Sequence, residues 1–135
     1  MKHLGIDYGT VRTGLAISDE TGMLVRPFEL LMTGATMVEK IAQIVEREGV
    51  ERVVVGMPYD LRGERTETTE LVAAFVQQLR ERLPGDVVEQ DEALSSRRAV
   101  ERMVEAGVKK SKRRQKGTAD TWAAALILQE YLDQA

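Results

Sequence analysis

The chain has no cysteine and a single histidine, His3. Disulfides, thiolate metal sites and cysteine nucleophiles are therefore excluded. With one histidine, neither a catalytic triad nor a multi-histidine metal site can form within one chain, so carboxylates must carry any metal chemistry. No apolar run approaches the roughly 20 residues that a membrane-crossing helix needs. The N-terminus also lacks the basic, apolar and small-residue succession of a signal peptide. These absences predict a cytoplasmic protein with no membrane partner. Aromatic residues make up only 4% of the chain. Tyr8 and Tyr59 are the candidates for stacking on a base, and Trp122 is expected in the core.

What is present describes one globular domain over residues 1–135. That length holds a real core but not two ordinary ones, and 43% apolar with 30% charged residues is a soluble composition. The net charge of −3 is unevenly spread. Residues 97–116 hold nine of the 19 basic residues and only Glu101 and Glu105 as acids, so this segment carries +7 and the remainder −10. A basic arm on an acidic body suggests a polyanionic partner; a solvated helix end and loop is the plain alternative.

Residues 2–7 and 12–18 read as short strands joined by a Gly-Thr turn, and a third strand is expected from Leu24 to Leu31. Pro27 marks that strand as an edge or a bulged one, because proline removes a ladder donor. From Thr36 the period becomes helical, with Met37, Ile41, Ile44 and Val45 on one stripe ended by Gly49. Residues 52–56 form a continuous apolar strand of the kind buried on both faces. A helix from Thr66 to Leu83 stops at Pro84-Gly85, and a fifth strand spans Asp86 to Gln90. Ser95 or Ser96 can cap a helix that ends at Gly107. Residues 109–117 read as an exposed basic loop, and a last helix runs from Thr118 through Leu132.

This order predicts an α/β fold: a five-stranded mixed sheet, its first three strands antiparallel, flanked by helices. Such sheets place sites at the carboxyl ends of their parallel strands. Asp7 ends the first strand, Gly56-Met57-Pro58 the fourth, and Asp91-Glu92 the fifth. Mg²⁺ takes oxygen ligands from a few carboxylates, waters and substrate phosphates. Asp7, Asp91 or Glu92, and Asp120 therefore make a candidate set for Mg²⁺ or Mn²⁺, and two such ions can clamp a phosphodiester without any histidine.

Each acid also has a structural reading. Asp7 can be a turn residue, Asp91-Glu92 a solvated strand end, and Asp120 a favourable charge at a helix N-terminus. Asp120, however, shares its helical stripe with Ala124, Ile127 and Tyr131, the apolar face, which a metal site explains better than capping. The loop from Gly56 through Pro58 to Gly63 can rim a site or offer backbone N–H groups to a phosphate. Lys109, Lys110, Lys112, Arg113, Arg114 and Lys116 can contact phosphates without base selectivity.

Four segments in order carry a resemblance: Gly5-Ile6-Asp7-Tyr8-Gly9-Thr10 with Arg12 and Gly14; Val55-Gly56-Met57-Pro58 with Gly63; Asp91-Glu92 followed by Leu94-Ser95-Ser96; and Lys116-Gly117 through Asp120 with Ala123-Ala124 and Leu128. Over essentially its whole length the chain resembles the YqgF (RuvX) family of pre-16S rRNA nucleases and Holliday-junction-resolvase-like proteins. The resemblance implies an RNase H-like fold and a metal-dependent nuclease acting on the 5′ end of the small-subunit rRNA precursor. Asp7, Glu92 and Asp120 would be the catalytic acids, Asp91 an acidic neighbour at the metal, and Arg12 with the basic arm the nucleic-acid contacts. Gly9 would sit at the active-site turn.

Three positions depart from the family pattern: Val11 replaces a usual Lys, Ala93 a usual Arg, and Asp60 a common Asn. They bear on rate and substrate contacts, not on reaction class. Two other readings remain open, a branched-DNA endonuclease and a non-catalytic RNA-binding assembly factor. Nucleotide binding in the manner of actin-like ATPases needs two copies of the fold, and this chain has length for one.

Overall fold

The computed structural model describes residues 1–92, 101, 103–113, 115 and 117–134. Five strands, β1 (His3–Asp7), β2 (Arg12–Ser18), β3 (Val25–Met32), β4 (Arg52–Met57) and β5 (Asp86–Asp91), form one sheet in the order β3-β2-β1-β4-β5. The pairs β1–β2 and β2–β3 are antiparallel, whereas β1–β4 and β4–β5 are parallel. The antiparallel meander at one end and two parallel additions at the other agree with the expected mixed sheet.

Pro27 acts in both anticipated ways. Strand β3 is an edge strand, and its register against β2 slips between Leu15 and Ala16, so that Phe28 is the extra residue of a bulge. The opposite edge, β5, exposes Asp86, Glu89 and Asp91, charges that discourage pairing with another chain.

Helix α1 (Met37–Glu48) follows Thr36 and ends at left-handed Gly49, with φ +68°. Helix α2 (Glu67–Arg82) starts with a reciprocal cap, in which the Thr66 hydroxyl accepts from the Thr69 amide and the Thr69 hydroxyl from the Thr66 amide. Both helices lie on one face of the sheet. There Leu4, Ile6, Leu15, Ile17, Val53, Val55 and Met57 meet Ile41, Ile44, Val72, Phe75 and Leu79 in a single large core. Each such side chain contributes about 1.5–3 kcal/mol on burial.

Residues 109–117 depart from the expected loop, because Lys110–Arg113 closes one helical turn, α3. Lysine and arginine are good helix formers, and a polar sequence without glycine or proline allows the turn. The preceding helical residues end where anticipated: Gly107 has φ +76°, and the Val108 amide donates to the Met103 carbonyl at 2.9 Å. The proposed cap at Ser95 or Ser96, together with Ala93, Arg114 and Lys116, lies outside the described residues.

Helix α4 (Thr118–Gln134) covers the other face. Ala16 packs on Ala124 and Ala125, and Val54 on Ile127 and Leu128. Trp122 is only half-buried, beside Val25 and Leu126 at the outer margin of α4, which corrects its expected place in the core. The far end of α4 is tied down by Arg52, which donates to the Tyr131 hydroxyl at 3.0 Å and pairs with Asp86 at 3.1 Å.

Candidate active site

Alternation along the strands fixes which side chains share a face. On β1, Gly5 and Asp7 face α4 while Leu4 and Ile6 enter the large core. Across the antiparallel pair, Asp7 sits opposite Gly14 and Gly5 opposite Ala16. A Cβ at Gly14 would collide with the Asp120 main chain, and one at Gly5 would come within 2.7 Å of the Leu128 Cβ. The missing side chains therefore let the first turn of α4 lie directly on β2, next to the end of β1. Gly14 is what lets Asp120 enter at the end of the sheet that carries Asp7.

Strand β5 delivers the second acid. Gly56 pairs with Gln90 and Met57 with Asp91, and the Glu92 amide continues the ladder by donating to the Met57 carbonyl at 3.2 Å. Glu92 thus falls on the face of Gln90 and Gly56, and its Oε2 lies 2.5 Å from where a Gly56 Cβ would stand. Asp91 alternates to the other face and is exposed. Between the two neighbours that the sequence left open, the register brings Glu92 to Asp7.

Asp7 and Glu92 share a hydrogen bond. Burial raises the Asp7 carboxyl to about 6, with the Asp120 charge adding to the rise and the hydrogen bond from Glu92 opposing it. Burial raises Glu92 to about 9, reinforced by the Asp7 charge, the hydrogen bond and the Asp91 charge. Both carboxyls are thus held above the ordinary range, so the pair keeps a proton to higher pH than exposed carboxylates do, and its titration belongs to the pair.

Asp120 is otherwise engaged. The Arg12 Nε donates to its Oδ2 at 3.2 Å, and the two side chains are 29% and 31% exposed. Among the described residues, no three acidic or histidine side chains are gathered closely enough to cage an ion as they stand.

The turn after Asp7 is anchored by two threonines, Thr13 and Thr33, that are not among the expected site residues. The Thr33 hydroxyl donates to the Gly9 carbonyl at 2.6 Å and contacts the Thr13 hydroxyl at 2.7 Å, while the Thr33 amide donates to the Val11 carbonyl at 3.0 Å. Thr13 is wholly buried, so its hydroxyl needs such a partner. The signal was the Thr13 of the first glycine-rich run, which lies on the core face by alternation. Tyr8 turns away from the acids and packs on Phe75 at 4.9 Å between ring centres, and Tyr59 packs on the same core, so neither ring stands open as a stacking platform.

The loop after β4 is self-contained. The Pro58 carbonyl accepts from the Thr69 hydroxyl at 2.7 Å, and Asp60 Oδ1 accepts from the amides of Arg62 and Glu64, both at 2.9 Å. The Gly63 amide, at φ +78°, donates to the Asp60 carbonyl. The expected offer of these N–H groups to a phosphate is thereby corrected, since Asp60 consumes them. An Asn would present the same oxygen, which makes that departure neutral for the loop. Lys109, Lys110 and Lys112 are exposed on and beside α3, the turn that leads through Gly117 into α4.

A mixed sheet in this strand order, with an acid at the end of its central strand, a second just past the end of the outer parallel strand and a third in the covering helix, defines the RNase H-like class. The fowlpox virus resolvase bound to Holliday junction DNA has this fold, with a TM-score of 0.61 at 12% identity over 99% of this chain and 98% of that one. RuvC of Thermus thermophilus in complex with a Holliday junction superposes with a TM-score of 0.59 at 19% identity, covering 99% and 94%. More specifically, the chain belongs to the RuvX family, whose model, described as Holliday junction resolvase, matches residues 1–134. A protein of Chlorobaculum tepidum named "Putative pre-16S rRNA nuclease" is 42% identical over 132 residues, 96% of this chain and 92% of that protein.

Proposed function

We propose that this chain is a divalent-metal-dependent nuclease that hydrolyses phosphodiesters of precursor rRNA at the 5′ end of the small-subunit RNA. The observation that carries the reading is the buried Asp7–Glu92 contact at the end of the sheet where Asp120 enters. Two carboxylates pressed together repel unless a proton or a cation lies between them. Hard oxygen donors suit Mg²⁺ or Mn²⁺, so the residues fit the ion the fold implies. Asp7, Glu92 and Asp120 would hold two ions, and Asp91 would add negative potential from the rim.

When bound, such ions supply an activated water and neutralise charge on the phosphate. The chain's own part begins with the shared proton, which the Asp7–Glu92 pair must release for both carboxylates to ligate. Asp7, fixed on the central strand, sets the position of the site. Arg12 and the lysines of the basic turn hold backbone phosphates, contacts that position the strand without reading its sequence. Such a substrate implies work beside ribosome assembly in the cytoplasm. Among the described residues no helix is long and apolar enough to cross a membrane.

The test compares a 5′-extended 16S rRNA fragment with a four-way DNA junction, each incubated with wild type and Asp7→Asn in Mg²⁺ or Mn²⁺. Wild type is expected to cut the RNA, and Asp7→Asn to lose at least about a hundredfold in rate with its melting curve intact. Equal cutting by the variant would overturn the assignment of the site. Preferential cutting of the junction would move the substrate to branched DNA, the reading that the family description favours.

A further inference from the structure

We propose that Arg12 is a built-in competitor for the metal site, a latch that holds the Asp120 carboxylate away from the Asp7–Glu92 pair until a divalent cation takes its place. The inference rests on the reading of these three acids as ligands and adds a residue that regulates when they assemble.

Three observations converge on it. Arg12 and Gly14 alternate to the same face of β2, so the Arg12 side chain rises beside the stretch of α4 that Gly14 admits. There it bonds Asp120 through Nε at 3.2 Å. Meanwhile the set of three acids is not gathered into a cage among the described residues. The backbones on both sides are fixed: Asp120 is seated on Gly14 in the first turn of α4, and the Arg12 turn is pinned by Thr33 to Gly9 and Val11. Closing the site thus requires side-chain rotation and no movement of helix or sheet.

The pair is also suited to exchange. At about 30% exposure each, the two charges are neither locked in the interior nor lost in solvent. A half-exposed ion pair contributes little and is readily replaced by a stronger partner. A divalent ion flanked by Asp7 and Glu92 is such a partner. Released, the guanidinium remains at the same end of the sheet, where a backbone phosphate is a geometrically matched acceptor. Metal loading and readiness for substrate are in this way linked through one side chain.

The experiment measures Mn²⁺ binding to the full chain, without nucleic acid, from the electron paramagnetic resonance signal of free Mn²⁺. The proteins are wild type, Arg12→Gln, Arg12→Lys, Asp120→Asn, the Arg12→Gln/Asp120→Asn double variant and Asp7→Asn. Arg12→Gln is expected to bind roughly two- to fivefold more tightly than wild type, the worth of one half-exposed ion pair. Arg12→Lys, which keeps the charge but loses the fork, should fall between them. In the Asp120→Asn background the Arg12 substitution should change nothing, because its effect runs through that carboxylate.

Equal or weaker binding by Arg12→Gln overturns the latch. So does tightening of the same size in the Asp120→Asn background, which would mean that only a positive charge had been removed. Failure of the underlying metal site looks different, since Asp7→Asn would then bind Mn²⁺ as tightly as wild type.

Discussion

The two faces of the sheet are built by opposite rules. Against α1 and α2 the strands present large aliphatic side chains, and the contact is a broad core of Leu, Ile, Val, Met and Phe. Against α4 the same strands present Gly5, Gly14, Ala16 and Gly56 beside Val54, met by Ala124, Ala125, Ile127, Leu128 and the Asp120 main chain. Small residues bury little area each, so this face adds less stability per contact. What it supplies is proximity: the helix lies close enough for the Asp120 charge to act on Asp7, and Glu92 fits over Gly56. One face holds the fold and the other sets the distances between charges.

The largest effects are expected from one substitution on each face. Gly14→Ala places a methyl group into the Asp120 main chain and must push the start of α4 away from β2. A displacement of about 1 Å at a reacting centre costs on the order of a hundredfold in rate. Gly14→Ala should therefore abolish most metal-dependent cleavage while the protein still melts cooperatively. Leu79→Ala, wholly buried against the other face, should cost about 2–5 kcal/mol of stability. Below its lowered melting temperature, its Mn²⁺ affinity should match wild type. Reversed outcomes would mean that the two faces do not divide the work in this way.

A second test uses the proton that the α4 face stores. Burial pushes the coupled Asp7–Glu92 pair of the folded, metal-free chain up to about 6 and about 9, both above the ordinary carboxylate range. Between about pH 4 and pH 9 the folded state therefore binds more protons than the unfolded state. Stability contributed by the pair is full below that window and is lost as pH rises through it. The melting temperature of metal-free wild type should fall across this range more steeply than that of Glu92→Gln. A difference of about 1 kcal/mol corresponds to roughly 3–5 °C in a domain of this size. Mn²⁺ should restore the loss, most strongly at the alkaline end, because the cation replaces the missing proton. Parallel curves for the two proteins would show that burial does not perturb the pair.

The comparison also explains what could be read in advance. The α1 and α2 face announced itself through apolar periodicity: Met37, Ile41, Ile44 and Val45 on one stripe, and residues 52–56 as a buried strand. Helix ends followed from local chemistry at Gly49 and Thr66, whereas Thr36 precedes α1 without a side-chain cap. The α4 face was harder, since glycine has no periodicity and its reason lies in a partner far along the chain. Gly14 reads as a turn residue until Asp120, distant in sequence, is seen on top of it. The acids Asp7, Glu92 and Asp120 were legible because each sits at a strand end or in a first turn. The choice of Glu92 over Asp91 depended on register, which a single sequence does not carry. The Arg12–Asp120 bond and the Thr13–Thr33 contact are long-range pairings and were invisible for the same reason.

The smallest expected effect concerns Val11, in the turn between the two faces. Its side chain is 57% exposed, and only its carbonyl is used, accepting from the Thr33 amide. Val11→Lys therefore removes no core contact, and its stability should stay within about 0.5 kcal/mol of wild type. It does place a cation one residue from Arg12, at the end of the sheet where the acids meet. RNA binding should tighten, and the slope of log affinity against log salt should steepen by about 0.7, the value for one added contact to a single strand. Leu71→Lys provides the control, because that side chain is 49% exposed on α2, on the opposite face. An unchanged salt slope in Val11→Lys, or an equal change in Leu71→Lys, would place the path of the nucleic acid elsewhere than across the α4 side of the sheet end.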